Sequence, residues 1–258
     1  MSNLKNISLF IALYISLIIG FSIDENLNFG AYFDWQRVYV LPITDFSQNF
    51  LDTFLNFEKY GQRHSPVYLI LISILLKLGM TFDAIRLIHL HFSLIFIFIF
   101  YHCLKFRFYN IDKSILQLLS MTIFLSPTFR SLSIWPDSRL PGLILFTLSI
   151  YFFLKFLKND GVLKTKFAWL CSITLILSSY ISPNFSVFAA FFYFFFFREL
   201  SLRNFIHIII SSIILSLPML YYIFVLGVNF MMAGSTPGVD GSNISFSFRG
   251  NRGKCIIP

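Results

Sequence analysis

The sequence predicts an all-α polytopic membrane protein of about seven transmembrane helices, on three observations. Asp, Glu, Lys and Arg make up only 12% of the chain, about half of the roughly 25% usual in soluble domains. Apolar residues make up 57%, and the mean hydropathy is +0.75. They fall in long runs, and the 35 Phe residues among them exceed what one soluble core of this size buries.

The first run, Ile7–Ile23, follows Lys5 and precedes no small-x-small cleavage site, so it is expected to remain as a first span with a cytoplasmic N-terminus. Residues 24–65 form the one long polar interval and carry Asp24, Glu25, Asp34, Asp45, Asp52 and Glu58. Within it, Phe29–Val40 and Phe46–Phe57 mix aromatics with single charges at roughly helical spacing, which suits short helices on a membrane surface. The apolar run 66–79 is shorter than the roughly 20 residues that crossing requires, so a surface helix is expected there. Six further spans follow: Leu87–Cys103, Ile115–Leu125, Leu140–Leu157, the hairpin of Phe167–Ile181 and Phe185–Phe197 around Ser182-Pro183-Asn184, and Phe205–Leu226. Residues 1–227 thus form one transmembrane domain, and the Gly- and Ser-rich 228–258 reads as an external tail.

Basic residues set the expected orientation. If 66–79 does not cross, Lys5 and the loops 105–113, 155–166 and 198–203 share the cytoplasmic side. They hold ten of the 20 Lys and Arg residues but only Asp112, Asp160 and Glu199 as acids, which obeys the positive-inside rule. The net charge of +8 is thus spread over short loops rather than one basic face, so no nucleic-acid partner is expected. Cys103, Cys171 and Cys255 have neither zinc-ligand nor disulfide spacing. The Asn-x-Ser sequons at Asn6, Asn184 and Asn243 are chance-level signals.

Chemistry needs polar groups, and these gather at the external side. Asp34 sits in Tyr32-Phe33-Asp34-Trp35. A carboxylate between aromatics at a membrane surface is partly desolvated, hence more basic, which suits a general base. The plainer reading is a solvated loop acid. Asp137, in Trp135-Pro136-Asp137-Ser138-Arg139, lies in a turn on the same side, where it either joins Asp34 or caps the helix before Leu140. Arg130 and Arg139 flank it and either hold an anionic leaving group or anchor the interface. His64 precedes Ser65-Pro66, where Pro suits a first helical turn. Arg86 opens the next span as an anchor or a phosphate ligand.

This order of parts resembles the GT-C superfamily, integral-membrane glycosyltransferases that use polyprenyl-phosphate sugars, including the protein O-mannosyltransferase-like enzymes. Such proteins show a first span, an acidic motif in the first external loop, and a His-Pro-Pro-x-x-Tyr-like entry to a surface helix ending in Lys-x-x-Gly. An Arg then opens the second span. Asp34, His64-Ser65-Pro66-Val67-Tyr68, Lys77-Leu78-Gly79 and Arg86 fall in that order. Ser126-Pro127, Trp135-Pro136-Asp137 and Ser182-Pro183-Asn184 look like the family's later motifs. The chain departs from the pattern at Trp35, where an Asp-Glu pair is usual, and at Ser65, where Pro is usual. Asp24-Glu25 keeps the dipeptide but sits at the end of the first span.

The resemblance implies sugar transfer from a polyprenyl-phosphate donor to an acceptor glycan, lipid or protein on the external face of a bacterial inner membrane. It implies Asp34 as base, Asp137 as its helper, and His64, Tyr68, Arg86 and Arg139 as substrate-binding residues, the two arginines holding the lipid phosphate. Asp34 and Asp137 offer oxygen ligands of the kind a divalent cation takes, although no motif calls for a metal. Family members have more spans, so the chain reads as a truncated or minimal relative. Two other readings stand beside this one: a lipid-carrier flippase or other transporter, and a non-catalytic membrane subunit. Charges at span ends rather than mid-membrane weigh against transport.

Overall fold

The computed structural model describes residues 2–27, 29–60 and 65–224, and every regular element among them is helical. Helix α1 spans Ser2–Ser22. The polar interval then folds into short helices, α2 (Phe29–Phe33), α3 (Val40–Gln48) and α4 (Phe50–Leu55), closed by a 3₁₀ turn at Phe57–Tyr60. Between α2 and α3 the chain widens into a π-helical turn over Asp34–Tyr39, where the Val40 N–H bonds the Trp35 carbonyl. Pro42, inside α3, brings no N–H for the Val38 carbonyl and crowds it, which accounts for the wider turn just before it.

Helix α5 covers Pro66–Lys77, with Pro at the first turn and the Ser65 hydroxyl accepting from the Val67 N–H. It stops at Gly79, whose φ of +89° is costly for other residues. The Gly79 and Met80 N–H groups bond the Leu76 and Leu75 carbonyls, a Schellman closure. Helix α6 (Phe82–Arg107) follows at once, capped by Thr81.

The run Ile115–Leu125, expected to cross as one span, is part of a bent pair. Helix α7 (Lys113–Met121) runs through a 3₁₀ turn at Thr122–Leu125, then bends by 71° into α8 (Pro127–Ile134). Pro127 cannot continue the preceding helix but suits the first turn of the next, and the Ser126 hydroxyl caps α8 at the Phe129 N–H. The chain ends in α9 (Arg139–Lys158), α10 (Gly161–Ile181), a 3₁₀ segment at Pro183–Phe188, α11 (Ala189–Glu199) and α12 (Leu202–Phe224).

Among the described residues five helices are long and apolar enough to cross a membrane: α1, α6, α9, α10 and α12, or six spans if the bent pair α7–α8 counts as one. This is a multi-pass helical membrane protein. The segment expected to cross at Phe185–Phe197 forms an α-helix of only 11 residues behind its 3₁₀ entry. On α12, Ile206, Ile210, Ile213 and Leu217 form an exposed stripe at helical spacing, a face that hydrocarbon covers.

Contacts sort the helix ends into two groups. At one end Asn6 donates to Ser114 and Gln117, Lys158 to the Phe106 carbonyl, Lys164 to Glu199, and Asn204 to Thr165. This end holds the basic loops. At the other end the C-termini of α1 and α10 meet the N-termini of α6 and α9, and the loop helices α2–α5 pack there. Two cores result. One gathers Trp35, Tyr39, Tyr68, Leu90, Phe129 and Trp135 under the loop helices. The other joins Phe153, Phe156, Cys171, Phe192 and Phe196 between α9, α10 and α11. Gly142 permits close approach of α9 to α10, since a Cβ there would lie 2.6 Å from the Ser182 Cβ.

Candidate functional site

The acidic end of the bundle brings together three residues from two distant segments. Arg139 opens α9 and folds back on Asp137, its Nε 2.8 Å from Oδ1 and its Nη2 2.5 Å from Oδ2. The same Nη2 donates to Asp34 Oδ2 at 2.9 Å. Asp137 is wholly buried, whereas the Asp34 side chain keeps 24% exposure. The N-cap of α9 is Ser138, not Asp137, but Asp137 Oδ1 accepts the Arg139 backbone N–H at 2.7 Å, so the same carboxylate meets the helix start and reaches Asp34 through Arg139. Asp34 is therefore not an isolated carboxylate among aromatics: it shares a guanidinium with a second acid.

Tyr39 closes the floor of this cluster. It ends the π-helical turn that Asp34 begins, is fully buried, and its hydroxyl lies against the Ser138 side chain. Its phenol is held well above the usual range, first by burial and then by the charge of Asp137. Short π-helical turns recur at functional sites. Here the turn puts Asp34 at its exposed start and Tyr39 at its buried end.

Beside it lies a second polar knot. Arg130, on α8, grips Glu25 through Nε at 2.7 Å and Nη2 at 2.5 Å, and reaches the Ser16 carbonyl on α1 at 3.1 Å. The Trp135 indole N–H donates to the Glu25 carbonyl at 3.0 Å. The Trp135 ring in turn faces Arg86, whose guanidinium carbon sits 3.9 Å from the ring centroid. Arg86 is buried, donates to Asp24 at 2.7 Å and to Asp83 at 3.3 Å, and leaves its Nε without a hydrogen-bond partner among the described residues. Asp24 adopts φ +53°, a region that non-glycine residues enter infrequently, Asp among the more tolerant. Gly20 makes the knot possible, because a Cβ there would collide with the Glu25 carboxylate and sit 2.9 Å from Arg130 Nη2.

Of the residues expected to bind substrate, Arg139 joins the carboxylate cluster and Arg86 belongs to the knot. His64 lies outside the described residues. Tyr68 is buried on α5, its hydroxyl 2.6 Å from His89 Nδ1, while His89 Nε2 lies 2.8 Å from the Leu132 carbonyl. A carbonyl only accepts, so Nε2 carries the hydrogen, and in the neutral ring Nδ1 is then the acceptor for the Tyr68 O–H. Both side chains line a cavity of about 250 Å³ between α5, α6, α9 and α10.

The sequence reading passed over His89, Tyr39 and the Glu25–Arg130 pair. His89 stands seven residues into α6, where an ionisable side chain in an apolar run is itself a pointer. The Glu25–Arg130 pair, 105 residues apart, left no such signal. Every arginine in the two knots already holds a carboxylate. By contrast Arg37 and Lys77 are exposed and form no ion pair with any described side chain. Arg37, in the same turn as Asp34, lies over the Phe33 ring at 4.7 Å. Among the described residues no three of His, Cys, Asp and Glu gather as a metal site. No family model, curated protein or solved structure matches this chain.

Proposed function

We propose that the protein is a membrane glycosyltransferase that moves a sugar from a polyprenyl-phosphate carrier to an acceptor glycan, lipid or protein at the acidic end of the bundle. The observation that carries this reading is the meeting of Asp34, Asp137 and Arg139 in one cluster, with Asp137 buried and Asp34 and Arg139 partly exposed, formed by a turn and a helix start at a membrane face. Asp34 takes the acceptor proton as the new glycosidic bond forms. The bond from the anomeric carbon to the carrier phosphate breaks, and the phosphate leaves with the electron pair. Arg139, fixed by buried Asp137, orients Asp34. Arg37 is the cation available to the phosphate, because Arg86 and Arg139 are committed to carboxylates.

The orientation belongs to the same proposal: basic end cytoplasmic, acidic end external, in a bacterial inner membrane. So does the count of seven spans. The segment from Pro183 to Glu199 returns along α10, since Glu199 pairs with Lys164 at the far end. Six residues at about 2 Å and eleven at about 1.5 Å rise to about 28 Å, close to the roughly 30 Å of a hydrocarbon core.

One observation favours a different reading, a non-catalytic membrane subunit: Arg86, Arg130 and Arg139 all make ion pairs that tie separate segments together, with Asp24, Glu25 and Asp34. Purified protein incubated with a short-chain polyprenyl-phosphate sugar decides between them. Release of polyprenyl phosphate that depends on Asp34 supports the transferase; a wild-type protein with no release across sugars and acceptors overturns it.

A further inference from the structure

The basic end of the bundle carries an open pocket of about 640 Å³ where the start of α10 meets the turn between α11 and α12. Its described lining includes Lys164, Lys166, Trp169, Glu199, Ser201 and Asn204. Glu199 is the one acid among the described lining residues, and it is engaged: Lys164, at 14% exposure, bonds it at 3.0 Å. Lys166 is exposed and forms no ion pair with any described side chain. Asp160 and Arg203, both exposed, adjoin the pocket in sequence without lining it, and their charges offset each other. The lining therefore keeps one positive charge, that of Lys166. Its neutral groups lean the same way. The Ser201 oxygen accepts the Asn204 N–H, and Asn204 gives one amide hydrogen to Thr165. The Ser201 hydrogen and the second Asn204 amide hydrogen stay uncommitted among the described residues. The Asp160 side chain leaves the first N–H groups of α10 uncapped. Spare donors beside a spare positive charge select an anion rich in acceptor oxygens.

We propose that this pocket binds an anionic phospholipid, with its phosphodiester at Lys166 and the starts of α10 and α12 and an acyl chain along Trp169. Depth argues for a lipid over a free phosphate. Helix α10 has 21 residues and rises about 32 Å, close to the roughly 30 Å of a hydrocarbon core, so its first turn marks the headgroup level. Trp169, eight residues beyond Gly161, lies about 12 Å below that level, at acyl-chain depth. Lys166 stands between the two and reaches the headgroups by extending its stem. Charge argues for an anionic lipid over a zwitterionic one, because a headgroup ammonium would need a carboxylate and Glu199 already holds Lys164. The site lies at the end of the bundle away from Asp34, so it stands or falls apart from the glycosyltransferase reading.

Tryptophan fluorescence tests this directly. The chain has three Trp residues, and Trp35 and Trp135 are buried at the acidic end, so quenching that disappears in Trp169→Phe reports this pocket. The full chain is reconstituted in vesicles of equal phosphatidylglycerol and phosphatidylcholine, with the acyl chains of one lipid or the other brominated near the glycerol. Quenching of Trp169 should show phosphatidylglycerol bound about fivefold more tightly, the scale of one lysine at a lipid surface. Lys166→Gln should bring the two lipids near parity, and Lys166→Arg should keep the preference. Lys105→Gln, which removes a basic-end charge outside the pocket, should leave it as in the wild type. Equal quenching by both lipids in the wild type overturns the proposal, and that comparison needs no variant to fold. A preference that survives Lys166→Gln, or that Lys105→Gln lowers as much, belongs to the charge of the whole membrane face and overturns the pocket. Inorganic phosphate at millimolar concentration should not relieve the quenching; if it does, the pocket takes phosphate without a lipid chain and the lipid assignment falls.

Discussion

Arg139 bonds Asp34 at 2.9 Å with the same Nη2 that grips Asp137, so the carboxylate best placed for chemistry is held by a cation anchored to a buried acid. The two ends of this arrangement differ in what they contribute. Asp137 is sealed, and losing one partner of a buried pair costs about 3–5 kcal/mol. Asp34 is partly exposed, and such pairs contribute about 0–1 kcal/mol. Asp34→Asn is therefore expected to leave expression, insertion and thermal stability near wild type while transfer falls by roughly 10²–10⁴-fold, the range for losing a general base. Turnover with a polyprenyl-phosphate sugar and a thermal shift in detergent measure the two quantities side by side. Transfer within about threefold of wild type removes Asp34 from the mechanism.

The arginines separate in the same way. Arg86 stacks on Trp135 and binds Asp24 and Asp83, so both Arg86→Ala and Arg86→Lys should lower thermal stability, Lys less so, because Lys lacks the planar fork. Donor affinity, measured on protein that remains folded, should change little. Arg37→Ala should do the reverse: unchanged stability and weaker donor binding, rescued in part by Lys as a point charge. If Arg86→Ala weakens the donor and Arg37→Ala does not, the phosphate meets Arg86 after displacing its carboxylates.

How far these relationships were legible in the sequence depends on their range. Helix starts at Ser65-Pro66, Thr81 and Ser126-Pro127 are local events, set by a hydroxyl acceptor or a ring, and the residues announce them. The membrane class follows from composition alone. Asp34 and Asp137 were singled out separately, and placing both on one side of the membrane was enough to expect them together. That Arg139 would be their bridge, and Arg86 a partner of Asp24, was not readable, because an arginine near a membrane face looks the same whether it pairs, anchors or binds phosphate. The 71° break in 113–134 is of the other kind: hydropathy reads an apolar run and carries no information on direction, so the bend at Ser126-Pro127 does not show in it.

The Arg130–Glu25 pair carries a structural prediction. Both side chains are mostly buried, at 11% and 15% exposure, and together they tie α8 to the end of α1. Arg130→Met leaves Glu25 buried without its cation and should destabilise the fold by about 3–5 kcal/mol. Pairing it with Glu25→Gln should recover much of that loss, since an amide is less costly to bury than a charge. Gly20→Ala should mimic the single loss by pushing the carboxylate off the arginine. Thermal unfolding in detergent tests all three, and additive effects of Arg130→Met and Glu25→Gln would mean that the two side chains are not coupled.

Topology is the last expectation, and it tests the span count together with the sidedness of the site. In a background with the native cysteines replaced, single cysteines at Asp83 and Asn184 mark the acidic end, and at Lys105 and Val162 the basic end; all four positions are exposed. An impermeant thiol reagent applied outside intact cells should label Asp83→Cys and Asn184→Cys and spare the other two. The basic loops drive this expectation, since Lys and Arg near span ends stay cytoplasmic. Asn184 carries the information about the hairpin. It lies just after α10 and before the return to Glu199, which contacts Lys164, so crossing by both arms requires it to share a side with Asp83. Labelling of Lys105→Cys and Val162→Cys instead would invert the protein and put the carboxylate cluster in the cytoplasm, where a sugar donor facing the other leaflet cannot reach it. Labelling of Asp83→Cys without Asn184→Cys would break the bundle that the Gly142–Ser182 approach holds together, because those two segments meet at one end.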